Sequence, residues 1–137
     1  MSTVHVIPNV FRSGFELDNL NWAPWVEPGR GGVDHHVLWA PSGEDPSAGL
    51  LLRFPPGAHG DFHEHLGIEV MLVLDGVLDH SDGSSFSKGD LIVEEPGTRH
   101  QMSSAGGCTV LAIRTRPAAR REPEAGEIAP TRATVGA

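Results

Sequence analysis

Three histidines and one glutamate stand at a spacing that could hold a metal ion. Residues 57–76, GAHGDFHEHLGIEVMLVLDG, place His63, His65 and Glu69 at the entrance to an apolar run that predicts a buried strand. Side chains alternate along a strand, so His63 and His65 point the same way about 7 Å apart, and Glu69 shares their parity. A second stretch, EEPGTRH, uses a Pro-Gly turn to deliver His100 at the start of another apolar strand. These four side chains, converging inside a barrel, would form a divalent metal site.

The donor types indicate which metals fit such a site. Neutral imidazole suits Fe, Mn, Ni, Cu and Zn, while a carboxylate favours the harder, octahedral ions. Four protein ligands on an octahedral ion leave two positions open, and a catalytic metal needs open positions. The plainer alternative is that each histidine is an ordinary hydrogen-bonded residue, and only the full spacing of the four donors argues against it.

The elements that must position these residues are short strands joined by turns. The chain has 17 glycines and 11 prolines and shows little helical periodicity before residue 116. Many short strands without intervening helices predict an all-β antiparallel sandwich or barrel. The predicted strands are residues 4–7, 14–17, 33–40, 49–54, 68–74, 76–80, 84–87, 90–93, 100–103 and 108–114.

The length of 137 residues predicts one domain. Residues 1–116 would form the barrel, with the metal-binding stretches at 57–76 and 89–100, and residues 117–137 would form a short tail rich in Ala, Pro, Arg and Glu. Such a tail has too few large apolar side chains to build a core of its own. It would gain order only by lying along the body or along a second subunit.

The charge balance disfavours several classes of partner. Residues 1–113 hold five basic and fifteen acidic side chains, which argues against nucleic acid and anionic membrane surfaces. The single cysteine, Cys108, rules out an internal disulfide framework and fits a reducing compartment. The sequence shows neither a signal-peptide pattern nor an apolar run long enough to span a bilayer, so a cytoplasmic location is expected. A small-molecule substrate is therefore the expected partner.

The full pattern resembles the cupin superfamily. The first cupin motif, G-x5-H-x-H-x3-E-x6-G, is met at each fixed position, by Gly57, His63, His65, Glu69 and Gly76. The second, G-D-x4-P-x-G-x2-H, is met by Gly89, Asp90, Gly97 and His100, with its proline displaced by one residue to Pro96. Over roughly residues 30–115 the chain is similar to the small, single-domain branch that includes the cupin part of the zinc-binding anti-sigma factor ChrR and acetylacetone-type dioxygenases.

The resemblance implies a double-stranded β-helix, the cupin jelly-roll, with one divalent metal in the mouth of the barrel and commonly a homodimeric assembly. By carry-over, the metal ligands would be His63, His65, Glu69 and His100. The expected metal is Fe, with Zn, Mn and Ni as alternatives.

Three functions are compatible with this pattern. The first is an Fe(II)-type dioxygenase acting on a small carbonyl or phenolic compound. The second is a non-redox isomerase, lyase or polyketide-type cyclase that uses Zn, Ni or Mn as a Lewis acid. The third is a metal-loaded sensing or binding module without catalysis. Metal identity depends on availability as much as on ligand type, so the sequence leaves the three open.

Other side chains could complete a site. His59, which precedes the ligands with the same parity, is a candidate acid or base at the rim of the cavity. His36, one of two adjacent histidines on opposite faces of a strand, is a candidate for a contact with the substrate or with a metal ligand. His80 follows a turn and is expected to be exposed. Apolar residues in such a pattern belong to the hydrophobic core in the first place. Those that could also form the wall of a substrate pocket are Phe54, Phe62, Met71 and Met102.

Overall fold

Short antiparallel strands make up almost all of the regular structure in the computed structural model, which describes residues 2–11, 17, 19–25 and 32–128. Within those residues the strands, in chain order, are β1 (Ala23–Pro24), β2 (Asp34–Trp39), β3 (Ala48–Phe54), β4 (Ala58–His59), β5 (His63–His65), β6 (Glu69–His80), β7 (Ser85–Ser87), β8 (Leu91–Glu94), β9 (Arg99–His100), β10 (Met102–Ser104), β11 (Cys108–Arg114) and β12 (Ala118–Arg120). The described part of the chain has no helix long and apolar enough to cross a bilayer.

The large sheet curls because β6 takes part in two different pairings. Its first half pairs with β11 and β8, and its second half pairs with β7 and β10. Gly76 lies between the two halves with a positive φ of 78°, a conformation that favours glycine. A Cβ at that position would lie 2.2 Å from the carbonyl oxygen of Gly107. The result is a curled antiparallel half-barrel, which confirms the predicted all-β jelly-roll.

A smaller sheet carries the histidines. Its strand order is β12-β5-β9, so β5 lies between two partners. In the pairing of β5 with β9, His63 lies directly opposite His100. The two histidine-bearing stretches of the sequence therefore meet as neighbouring antiparallel strands.

The core follows the alternation of side chains on β3. Leu50, Leu52 and Phe54 point into the main apolar cluster inside the half-barrel. Leu51 points to the outer face, where it packs with Leu74 and with apolar residues near the N-terminus. Both faces of this strand are thus buried, which explains its nearly continuous apolar sequence.

The outer face of the large sheet also carries a row of apolar residues that are cross-strand partners on successive strands. This outer row consists of Trp39, Gly49, Ile113, Val70 and Val93. The exposed fractions are 42% for Trp39, 37% for Ile113 and 60% for Val93. The tryptophan ring lies over Gly49, where a Cβ would come within 2.2 Å of it.

Most predicted strands are confirmed within one or two residues, and predicted strand 108–114 coincides with β11. The prediction for residues 4–7 is wrong, because residues 2–9 are irregular. Of predicted strand 14–17, residues 14–16 lie outside the described residues. Predicted strands 68–74 and 76–80 join into β6, and predicted strand 100–103 breaks at Gln101. The two- and three-residue strands β1, β4 and β12 exist through their pairing rather than through a local pattern.

Candidate metal centre

Three imidazoles converge at one point between β5 and β9. The Nε2 atom of His100 lies 2.8 Å from Nε2 of His65 and 2.9 Å from Nε2 of His63. All three side chains are buried, and their rings meet edge to face. The two strands therefore present three nitrogen donors to a single small volume.

The donor spacing fits one divalent ion. Bonds of about 2.1 Å at right angles place neighbouring donors about 3.0 Å apart, whereas tetrahedral geometry places them about 3.4 Å apart. The two separations of 2.8 and 2.9 Å are close to the first value. The three nitrogens thus lie close enough together to bind one divalent ion, with Glu69, water or substrate as its possible further ligands.

The outer nitrogen of each imidazole has its own partner. Nδ1 of His63 lies 2.9 Å from the carbonyl oxygen of Asp61. Nδ1 of His65 lies 2.7 Å from Oε2 of Glu69. An Nδ1–H of His63 that donates to the Asp61 carbonyl leaves the lone pair of Nε2 facing the centre, and a carboxylate beside the outer nitrogen, as at His65, is also typical of metal-binding histidines.

Glu69 was predicted as the fourth ligand, and the structure places it beside the cluster. Its side chain is only 2% exposed, and its Oε2 lies beside the outer nitrogen of His65. Among the described residues, one group of donor atoms close enough together for one ion consists of His63, His65 and His100, and a second consists of His80, Glu94 and His100, so Glu69 belongs to neither group. Direct coordination by Glu69 stays a prediction, while its contact with His65 is present in the structure.

His100 is supported by residues that sequence reasoning missed. Its Nδ1 lies 2.9 Å from Nε2 of His80 and 3.4 Å from Oε1 of Glu94, and Nδ1 of His80 lies 3.0 Å from Oδ1 of Asp82. His80, expected to be exposed, has a side chain only 13% exposed. Its place beside the cluster depends on the pairing of His80 with Met102, which a local pattern does not reveal.

Burial favours the neutral form of the His100 imidazole, and the neighbouring imidazoles favour the ionised form of the Glu94 carboxylate. Burial lowers the pKa of His100 below its usual value. Burial alone would raise the pKa of Glu94, but the imidazoles of His100 and His80, whose nitrogens lie 3.4 and 3.7 Å from Oε1, outweigh it and hold that pKa well below the usual range. The Glu94 carboxylate in turn raises the pKa of His80. A neutral imidazole is the form that can bind a metal.

Of the predicted pocket residues, three line a cavity at the cluster. Phe54, Met71 and Met102 lie on its wall together with His63, Glu69 and His100. The cavity is small, about 20 Å³. Phe62 is buried elsewhere, with its ring 5.5 Å from the guanidinium carbon of Arg99.

The two candidate catalytic residues, His59 and His36, lie outside this cluster's donor set. His59 is exposed, with Nδ1 3.0 Å from the carbonyl oxygen of Gly60. His36 pairs with Leu51 of the outer cluster, and its Nδ1 lies 3.3 Å from the carbonyl oxygen of Asn21. His36 is therefore on the opposite side of the sheet from the three histidines. A catalytic role for either residue stays a prediction.

The curled half-barrel and its buried histidine cluster define a cupin. Residues 13–118 match the family described as the ChrR Cupin-like domain, and the chain belongs to that family. No curated protein matches the sequence significantly.

Three solved structures illustrate the range of similar proteins. An acetylacetone dioxygenase from Acinetobacter johnsonii superposes with a TM-score of 0.69 at 18% identity, over 94% of this chain and 83% of that one. The polyketide cyclase RemF from Streptomyces resistomycificus gives a TM-score of 0.67 at 18% identity, over 91% and 88%. The Rhodobacter sphaeroides complex of SigE with the anti-sigma ChrR gives 0.57 at 27% identity, over 72% of this chain and 51% of that chain. The first two likenesses show a shared fold alone.

Proposed function

We propose that this protein is a metal-dependent cupin enzyme of the Fe(II) dioxygenase type that acts on a small carbonyl or phenolic compound. The observation that carries the proposal is the convergence of three buried imidazoles whose Nε2 atoms lie 2.8 and 2.9 Å apart beside an apolar cavity. Its fold is shared with an acetylacetone dioxygenase. When bound, Fe(II) would supply the one-electron chemistry that none of these side chains can perform.

The chain's own residues would orient the donors and keep the site dry. Asp61 and Glu69 hold two of the imidazoles by their outer nitrogens, so that little reorganisation is needed on binding. Phe54, Met71 and Met102 supply an apolar wall that excludes water and suits a planar organic substrate.

The cavity limits the substrate. A volume of about 20 Å³ holds about one water molecule. A carbonyl or phenolic compound would enter only after the Met71 and Met102 side chains move, and methionine is the apolar side chain best able to do so. The proposal therefore requires a small substrate and a wall that rearranges.

The same small cavity favours a second candidate, a metal-loaded sensing module without catalysis. The family takes its description from ChrR, which one solved structure contains as an anti-sigma in complex with SigE. A third candidate, a non-redox enzyme with Zn, Ni or Mn as Lewis acid, is supported by the fold it shares with a polyketide cyclase.

Metal analysis paired with oxygen uptake tests the proposal. The protein is purified, its metal is quantified, and oxygen consumption is followed with a panel of β-diketones and catechols. The dioxygenase predicts uptake that disappears after chelation and returns with Fe(II), but not with Zn(II). Equal product formation under nitrogen would refute it in favour of Lewis-acid chemistry. Stoichiometric metal with neither uptake nor product would refute it in favour of the sensing module.

We also propose a homodimer in which two copies meet through the outer row. The chain carries a formal net charge of −8, so two copies repel each other over most of their surface. The side chains of Trp39, Ile113 and Val93 are exposed and uncharged, and a second copy presents the same face.

A further inference from the structure

The C-terminal segment completes the sheet that carries the histidines. In the pairing of β12 with β5, Ala118 lies opposite His65 and Arg120 lies opposite His63. The amide of Arg121 continues the ladder by donating to the carbonyl oxygen of Phe62 at 3.0 Å. β9 occupies the other edge of β5. Without β12, the strand that carries two of the three clustered histidines would be an edge strand.

A salt bridge between Arg99, which precedes His100 on β9, and Glu127 holds this segment in place. Arg99 donates from Nε to Oε2 of Glu127 at 3.0 Å and from Nη2 to Oε1 of the same carboxylate at 3.1 Å. It also donates from Nη2 to the carbonyl oxygen of Glu122 at 3.1 Å. The turn that carries Glu127 is closed on itself, because the amide of Glu124 donates to Oε1 of Glu127 at 2.7 Å. One arginine thus joins the ligand strand β9 to the end of the segment.

All but the first residue of this segment lies beyond the region that the family match covers. The family match ends at residue 118, whereas the pairing and the salt bridge extend to Glu127. The segment is poor in large apolar residues, so the contacts with β5 and with Arg99 are what hold it in place. We call residues 118–128 the C-terminal clasp.

We propose that the C-terminal clasp fixes β5 against β9 and thereby slows the release of metal from the histidine cluster; this rests on the proposed metal site. A bound ion can leave only when an imidazole swings away from it. Backbone pairing on both edges of β5 restrains His63 and His65 together. Opening of the clasp frees one edge of the strand, and strands with fewer protected amides open more often.

The ladder offers a matched pair of proline variants. Hydrogen-bonded and non-hydrogen-bonded pairs alternate along an antiparallel ladder. The amide of Arg121 faces β5, so the amide of Ala119 also faces β5, whereas that of Ala118 faces away. Ala119→Pro therefore removes a ladder hydrogen bond, and Ala118→Pro introduces the same ring without that loss.

A second matched pair addresses the salt bridge. Glu127→Gln weakens the two-point contact with Arg99. Glu122→Gln makes the same chemical change on the same segment, where Arg99 contacts the backbone carbonyl. All four substitutions are made in the full chain.

The experiment measures the rate at which the zinc-loaded full chain loses zinc to an excess of chelator. We expect release to accelerate about tenfold in Ala119→Pro and about two- to fivefold in Glu127→Gln, since a partly exposed ion pair contributes little. Ala118→Pro and Glu122→Gln should stay within about twofold of the parent. Equal release rates within both pairs would overturn the proposal.

Amide hydrogen exchange in the metal-free chain gives a second, independent readout. The amides of residues 62–65 should exchange faster in Ala119→Pro and Glu127→Gln than in their controls, with the midpoint of global unfolding unchanged. If the parent chain binds no zinc, the metal site itself is refuted, while exchange at β5 still decides whether the clasp restrains it. Unchanged exchange in both variants would refute the clasp.

Discussion

Replacing Glu69 by glutamine tests how the carboxylate serves the metal centre. Oε2 of Glu69 lies 2.7 Å from Nδ1 of His65, and the two side chains are 2% and 3% exposed. The replacement keeps the volume of the side chain and removes its charge. If the carboxylate acts through His65, the loss falls on the orientation and basicity of that imidazole, and the three nitrogen donors remain.

The magnitude follows from the burial of the contact. Burial of both side chains places their ion-pair contact in a medium of low dielectric constant, where an electrostatic interaction is stronger than in water. Loss of such a partner behind a metal-binding histidine costs about 10–100-fold in affinity, which corresponds to about 1.4–2.7 kcal/mol. We therefore expect Glu69→Gln to bind one equivalent of zinc with about 10–100-fold weaker affinity.

The assay is competition between the metal-free protein and a chelator of known affinity. Glu95→Gln is the matched control, because Glu95 is exposed and its backbone carbonyl makes the local turn contacts. An affinity within twofold of the parent would refute the reasoning, because the buried contact would then contribute nothing to binding. Failure of Glu69→Gln to bind a full equivalent would also refute it, and would support the direct coordination that the sequence predicts.

Three further predictions follow. His63→Ala and His100→Ala should each lose stoichiometric metal while keeping the far-ultraviolet circular dichroism of the parent, and a full equivalent in either variant would remove that residue from the ligand set. Burial raises the pKa of Cys108 to about 11, whereas the pKa of a free cysteine is about 8.5. Alkylation of Cys108 at pH 8 should therefore be about two orders of magnitude slower than that of a free cysteine, and it should accelerate as the pH rises. Reaction at the rate of a free cysteine would contradict the burial. Val93→Glu places a charge in the outer row and should shift the sedimenting species from dimer to monomer, whereas a dimer in both proteins would place the interface elsewhere.

The cluster of histidines could be predicted because strand parity and turns are local properties. His63 and His65 are two residues apart, so any strand through them points both the same way. The Pro-Gly turn before His100 sets where its strand begins.

The support of His100 could not be predicted, because an irregularity in β6 reverses the alternation of its side chains. Thr109 and Val110 are adjacent on β11, yet their partners on β6 are Asp75 and Val73, so β6 carries one extra residue there. Parity counted from Glu69 would put Leu78 and His80 on the outer side. Beyond the bulge Leu78 is fully buried in the core, and His80 reaches His100.

The three imidazoles are therefore oriented by residues at different distances along the sequence. His63 is held by a carbonyl two residues away and His65 by a carboxylate four residues away, so both are oriented within one short stretch. His100 is held by His80 and Glu94, and His80 reaches it only because β6 bends into the second half of the curled sheet. A chain in which β5 has formed but the sheet has not closed would present two oriented donors and lack the third. Because three donors require the closed sheet, tight metal binding is coupled to completion of the fold, and metal bound to the folded chain alone stabilises it.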